Sequence, residues 1–224
     1  MNKYIAEFIG TFFLVLTIGC TGIGAGPAVI APLAIGAALM VMVFAGGHIS
    51  GGHYNPAVTL GVLIRGKVKA TDVVPYMIAQ FAGAAIAALV VGKLLRAGIA
   101  VTPITLKIAP ALAAECLFTF ALVYVVLNAA TAEGTSGNSF YGLAIGMTVM
   151  TGAFAVGDIS GGAFNPAVAL GISLLGISSW NNIWIYLAAN FGAAIVAAFV
   201  FNLINPAAQT TPIATDEPPY ETPQ

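Results

Sequence analysis

The ten residues Ile49-Ser50-Gly51-Gly52-His53-Tyr54-Asn55-Pro56-Ala57-Val58 return as Ile159-Ser160-Gly161-Gly162-Ala163-Phe164-Asn165-Pro166-Ala167-Val168, displaced by 110 positions. The same displacement sets Leu33-Ala34-Ile35-Gly36 against Leu143-Ala144-Ile145-Gly146 and Gln80-Phe81 against Asn190-Phe191. Near the start, Ala6-Glu7 faces Ala114-Glu115 at a displacement of 108. The chain is two copies of one unit, and any fold it adopts must respect that.

The medium in which it folds follows from its charge. Of 224 residues 59% are hydrophobic, with seven Lys or Arg and eight Asp or Glu. A soluble domain carries about 25% charged residues, so a water-soluble enzyme is excluded, and so few cations leave no footprint for nucleic acid. Six apolar stretches approach the ~20 residues that a bilayer requires: Tyr4 to Gly22, Ala28 to Gly47, Val73 to Leu95, Ile108 to Ala130, Phe140 to Val156 and Ile183 to Phe201. Glu7 inside the first of them favours a retained span over a signal peptide. Two further stretches, Pro56 to Ile64 and Pro166 to Leu175, reach only about half of the membrane at ~1.5 Å per residue.

Each unit therefore holds three spans and one half-span, and an odd number of crossings starts the second copy on the opposite side of the membrane. The repeats are inverted, about an axis in the membrane plane. Both half-spans dip toward the midplane, where irregular backbone survives only inside protein or along a water-filled cavity. The expected fold is an all-α membrane protein with six transmembrane helices and two re-entrant half-helices. One channel domain covers residues 1–205, with repeats at about 4–98 and 108–203, and a Pro-rich, acidic, disordered tail at 206–224. All seven basic residues precede residue 108. With the N-terminus inside, four of them (Lys3, Arg65, Lys67, Lys69) face the cytoplasm and three (Lys93, Arg96, Lys107) face outward, a weak signal for cytoplasmic termini.

Asn followed by Pro reads as a helix start, because Asn caps well and Pro at the first helical position forfeits no hydrogen bond. Half-helices beginning at Asn55 and Asn165 bring two N-termini to the midplane, each worth about half a positive charge, which disfavours cations and leaves neutral molecules alone. With each Asn oxygen engaged in capping, the amide donors remain to hold a solute oxygen. Gly51, Gly52, Gly161 and Gly162 suit an extended backbone whose carbonyls line the lumen, together with His53, Tyr54, Ala163 and Phe164. Neither the asparagine amides nor the glycine carbonyls are a nucleophile or a base. Asn205-Pro206-Ala207 is a third copy without the Gly-rich approach, at the tail junction.

These paired motifs, in repeat register from about Ala6 to Ala198, resemble the major intrinsic protein (aquaporin and aquaglyceroporin) family. The resemblance implies one pore per subunit, a homotetramer in the plasma membrane and no cofactor. It places the central constriction at Asn55, Pro56, Ala57, Asn165, Pro166 and Ala167. It makes Glu7 and Glu115 buried supports that hydrogen-bond the re-entrant loops, and it puts the outer selectivity filter at Ile35, Ala153, Gly162 and Val168. Most relatives carry Arg where Val168 stands, and water-selective members add an aromatic residue and a His where Ile35 and Ala153 stand. The glycerol branch carries Arg-Asp where Val168-Ala169 stand. The filter is thus expected to be wide, apolar and without a fixed cation, unless Arg96 or Lys107 supplies one.

Other residues admit plainer roles. His48 and His53 have no carboxylate or Cys beside them to complete a metal set, and Asp158 reads as a solvated loop residue. Glu7 and Glu115 could form a proton relay, but their symmetric placement favours support of the loops. Ala79, Gly83 and Ala87 make a close-packing seam. Cys20 and Cys116 read as small buried hydrophobes. The function expected is passive conduction of water and small uncharged solutes across a lipid bilayer. The alternatives are a glycerol or small-polyol facilitator, or an ion- or proton-coupled transporter.

Overall fold

In lipid every backbone N–H and C=O must find its partner within the protein, so apolar stretches of this length become helices. The computed structural model describes residues 1–24 and 30–205; the expected tail at 206–224 lies outside them. The helices are α1 (Asn2–Gly22), α2 (Ile30–Ser50), the short α3 (Pro56–Ile64), α4 (Ala70–Val90), α5 (Ile108–Thr131), α6 (Tyr141–Ser160), the short α7 (Pro166–Leu174) and α8 (Ile183–Ile204). A π-helical turn, Val91–Leu95, extends α4. Six of these helices are long and apolar enough to cross a membrane. Several boundaries differ from the hydropathy reading by a few residues; α2 and α6, for example, continue to Ser50 and Ser160 rather than ending at Gly47 and Val156. His48 and Asp158 are exposed, so a polar side chain there costs the helix nothing.

The order of contacts repeats in the two halves. α1 packs on α2 and α4, and α5 packs in the same way on α6 and α8. The halves join where α2 crosses α6, and they interlock because α3 lies against α8 of the other repeat while α7 lies against α4. On the face that carries the start of α1, Lys3 Nζ meets Asp72 Oδ2 at 2.6 Å and Tyr4 donates to Asp72 Oδ1 at 2.7 Å, tying α1 to the start of α4.

The crossings rest on missing side chains. A Cβ on Gly36 would fall 2.8 Å from the carbonyl oxygen of Gly146, and one on Gly146 would fall 2.5 Å from that of Gly36. A Cβ on Gly83 would fall 2.5 Å from the oxygen of Phe8, so the predicted seam on α4 is where α1 approaches. Backbone cannot yield as a flexible side chain can. Gly146→Val is expected to cost about 1–3 kcal/mol through overpacking, read as a lower midpoint of thermal unfolding in detergent. A variant as stable as the wild type would show that the two helices can separate without loss.

Candidate functional site

Each re-entrant segment turns on backbone that only a few residues adopt. Gly51 (φ 91°), Gly52 (φ 62°) and Tyr54 (φ 50°) are left-handed, and so are Gly161 (φ 88°), Gly162 (φ 62°) and Phe164 (φ 47°). This is a correction to the extended path expected from the Gly pairs, and two aromatic residues hold a conformation that disfavours them.

Buried carboxylates fix that conformation. Glu7 Oε1 accepts from Ser50 Oγ at 2.7 Å and from the His53 N–H at 2.9 Å, while its Oε2 accepts from the Tyr54 N–H at 2.6 Å and from Gln80 Nε2 at 2.7 Å. Glu115 does the same in the second repeat. Its Oε1 accepts from Ser160 Oγ at 2.7 Å and the Ala163 N–H at 2.9 Å, and its Oε2 from the Phe164 N–H at 2.7 Å and Asn190 Nδ2 at 2.9 Å. Four donors occupy the lone pairs of each carboxylate, which leaves no site for a travelling proton. Tyr76 and Tyr186 close each turn by donating to the carbonyls of Ser50 and Ser160, both at 2.7 Å.

The two loops meet at the asparagines. Asn55 Oδ1 caps α3 by accepting from the N–H of Ala57 at 2.8 Å, and Asn165 Oδ1 caps α7 through the N–H of Ala167 at 2.8 Å. Each side-chain amide then crosses to the other loop. Asn55 Nδ2 donates to the carbonyl of Phe164 and Asn165 Nδ2 to that of Tyr54, both at 2.9 Å. One of the two N–H bonds of each amide is therefore spent on the crossing, and one remains. The N-termini of α3 and α7 are held face to face by this exchange, so their positive ends add.

Beside this junction runs a narrow cavity with about 420 Å³ of empty space, counting the part open to solvent. Its walls come from α1 (Leu14, Ile18), α2 (Ile35, Leu39), α5 (Leu122, Val126) and α6 (Ile145, Val149), with Gly52, His53 and Asn55 from one loop and Val58 from α3, and Gly162, Ala163 and Asn165 from the other loop and Val168 from α7. No Lys, Arg, Asp or Glu is among these lining residues. The polar groups are two amides, one imidazole and backbone; everything else is apolar.

The folded chain matches, over residues 1–201, the family model described as Major intrinsic protein. The chain belongs to the major intrinsic protein family. It is 37% identical over 208 residues to the glycerol uptake facilitator protein-like 6 of Lactiplantibacillus plantarum, covering 89% of this chain and 96% of that one. Over 216 residues it is 35% identical to aquaporin NIP1-4 of Oryza sativa subsp. japonica, covering 91% of this chain and 77% of the relative. The X-ray structure of the aquaglyceroporin from Plasmodium falciparum shares its fold, with a TM-score of 0.77 at 21% identity, covering 94% of this chain and 99% of that chain.

In this member of the family, three of the four residues at the expected filter positions, Ile35, Gly162 and Val168, line the lumen. Ala153 stands behind them, with its Cα 3.6 Å from where a Cβ on Gly162 would lie. Gly51 and Gly161 are not among the lining residues, and Tyr54 and Phe164 turn their rings into the core. Their packing is tight: the Tyr54 ring fills the space beside Gly10 and Gly46, and that of Phe164 the space beside Gly152. Neither Arg96 nor Lys107 is among the residues that line the lumen. Arg96 donates to the carbonyl of Cys20 at 2.8 Å and lines a separate cavity with Lys93, and Lys107 is exposed at the start of α5.

The sequence reading passed over the supports Ser50, Ser160, Tyr76, Tyr186, Gln80 and Asn190. Their signal was present, since Tyr76 and Tyr186 stand in the same register as the loops.

Proposed function

We propose that residues 1–205 form one channel domain that passes water and small uncharged solutes down their gradients, with no chemical step. The observation that carries the reading is the crossed pair of asparagine amides. It sets two solute-facing N–H donors between two helix N-termini, beside a lumen walled by apolar side chains. A neutral solute exchanges part of its hydration for those donors and for loop backbone, while a cation meets two positive helix ends and no compensating carboxylate. Asn55 and Asn165, with Pro56, Ala57, Pro166 and Ala167, are the central constriction. Ile35, Gly162 and Val168, backed by Ala153, are the filter on the side where α6 ends. Glu7 and Glu115 hold the loops.

The channel works as a homotetramer in the plasma membrane with both termini in the cytoplasm. Six crossings support placing the termini together, and the outward apolar residues of the long helices, such as Val74, Ile78, Leu117 and Phe199, suit lipid or a neighbouring subunit. Glycerol is the first solute to test, because the Lactiplantibacillus plantarum relative is named glycerol uptake facilitator protein-like 6. Stopped-flow light scattering on proteoliposomes compares osmotic water flux with uptake of glycerol and urea, each above empty liposomes. Val168→Arg puts a long cation into the lumen wall and is expected to cut glycerol flux by about tenfold or more, equivalent to ~1.4 kcal/mol. Unchanged flux would place the filter elsewhere.

A further inference from the structure

The lining residues fall into pairs between the repeats. Leu14 answers Leu122 and Ile18 answers Val126 at a displacement of 108, while Ile35 answers Ile145, Leu39 Val149, Gly52 Gly162, His53 Ala163, Asn55 Asn165 and Val58 Val168 at 110. Applied to the filter, the same operation turns Ile35, Ala153, Gly162 and Val168 into Ile145, Val43, Gly52 and Val58. Three of the four residues are identical in type. With Val in place of Arg, the filter has a near-copy of itself on the terminal side of the asparagines. The copy is placed alike, since the Cα of Val43 lies 3.4 Å from where a Cβ on Gly52 would fall, as Ala153 stands behind Gly162.

The copies differ most at the loop, where His53 puts an imidazole in the place that the methyl group of Ala163 holds in the other half; Val43 and Ala153 stand behind the glycines and do not line the lumen. That ring is held in place. Its Nδ1 lies 3.1 Å from Thr59 Oγ1, which also accepts from Gln80 Nε2 at 2.9 Å, and the ring of Tyr76 packs against it at 5.1 Å. The second repeat has no such bracket, because Ala169 stands in the place of Thr59. His53 is buried and is itself one of the residues that line the lumen.

We infer that Gly52, His53, Val58 and Ile145, backed by Val43, form a second selectivity filter. Resistances in series add, so this filter, with its imidazole, limits flux and sets which solutes pass. Its one polar side-chain group favours small solutes that form a hydrogen bond beside an apolar face, and it screens them by width. The inference rests on the channel reading above.

The test measures the ratio of glycerol to water flux in proteoliposomes, a quantity that does not change when less protein folds. His53→Ala is expected to raise the ratio by about threefold or more. Ile145→Val, which leaves the Thr59 bracket intact, should raise it in the same direction and more than Ile35→Val does on the other side. The double variant His53→Ala with Ala163→His moves the imidazole across the midplane and should return the ratio toward that of the wild type. Should His53→Ala fail to fold, the comparison of Ile145→Val with Ile35→Val decides. A conducting wild type in which neither His53→Ala nor Ile145→Val raises the ratio beyond Ile35→Val overturns this inference alone. A wild type with no flux above empty liposomes overturns the channel reading, and this inference with it.

Discussion

Glu115→Gln is expected to lower thermal stability sharply, and Glu115→Ala to leave little folded protein. The glutamine has the shape of the glutamate, but one end becomes a donor. Placed toward Ser160, the new NH₂ confronts the Ala163 N–H; placed toward Asn190, it confronts the Phe164 N–H. Ser160 can rotate its hydroxyl and Asn190 can turn its amide, yet a backbone N–H can do neither. In either orientation one buried N–H loses its acceptor, and the remaining bonds lose their charge. Each such loss is worth about 1–3 kcal/mol, against a total stability of ~5–15 kcal/mol. Alanine removes all four bonds and opens a cavity as well. Thermal unfolding in detergent, followed by near-UV circular dichroism, should rank the wild type above Glu115→Gln and that above Glu115→Ala. Glu7→Gln should lose a similar amount, because Glu7 also accepts four hydrogen bonds. An alanine variant that melts with the wild type would show that the carboxylates are not what holds the loops.

Asn55→Asp should change what the lumen carries. The aspartate still caps α3 through its Oδ1, so the half-helix survives. What it loses is the donation to the Phe164 carbonyl at 2.9 Å, now replaced by two oxygens facing each other, together with the N–H that a solute would use. What it gains is a charge between two helix N-termini, a place that stabilises an anion. That charge attracts cations to the point where the native channel repels them. Neutral solute flux is expected to fall by about tenfold or more, the equivalent of one lost hydrogen bond of ~1.4 kcal/mol, while a sodium or proton leak appears. A pH-sensitive dye trapped in the liposomes reads the leak beside the osmotic assay. Asn165→Asp should act in the same direction, since its amide makes the mirror bond to Tyr54 at 2.9 Å. Glycerol flux equal to that of the wild type, with no leak, would remove the asparagines from the transport path.

The parts of this architecture legible in the sequence are those with a register. Spans show as apolar length, the half-helices as Asn-Pro starts too short to cross, and the inversion follows from an odd number of crossings per repeat. Apart from Ile35, the part of the lumen wall that the long helices supply was not legible. Leu14, Leu39, Leu122 and Val149 line it with the same kind of side chain that Val74 and Phe199 turn outward, so no polar stripe separates the two faces. Tyr54 and Phe164 hid their backbone, because aromatic residues rarely take positive φ and nothing in their type announces it. Gln80 and Asn190 were visible as polar positions in register, but only the fold shows that they reach Glu7 and Glu115. Val168 and Val58 stand in the same register in the sequence; that they make the two halves of the lumen alike required the lining residues to be known.

The central claim is passive conduction past the two asparagines, and the most direct test is the concentration dependence of glycerol uptake into proteoliposomes with and without an imposed pH gradient. A channel of this kind gives uptake that rises in proportion to the glycerol gradient, runs equally in both directions and ignores the pH gradient. Uptake that saturates and follows the pH gradient, or no uptake above empty liposomes, would contradict it.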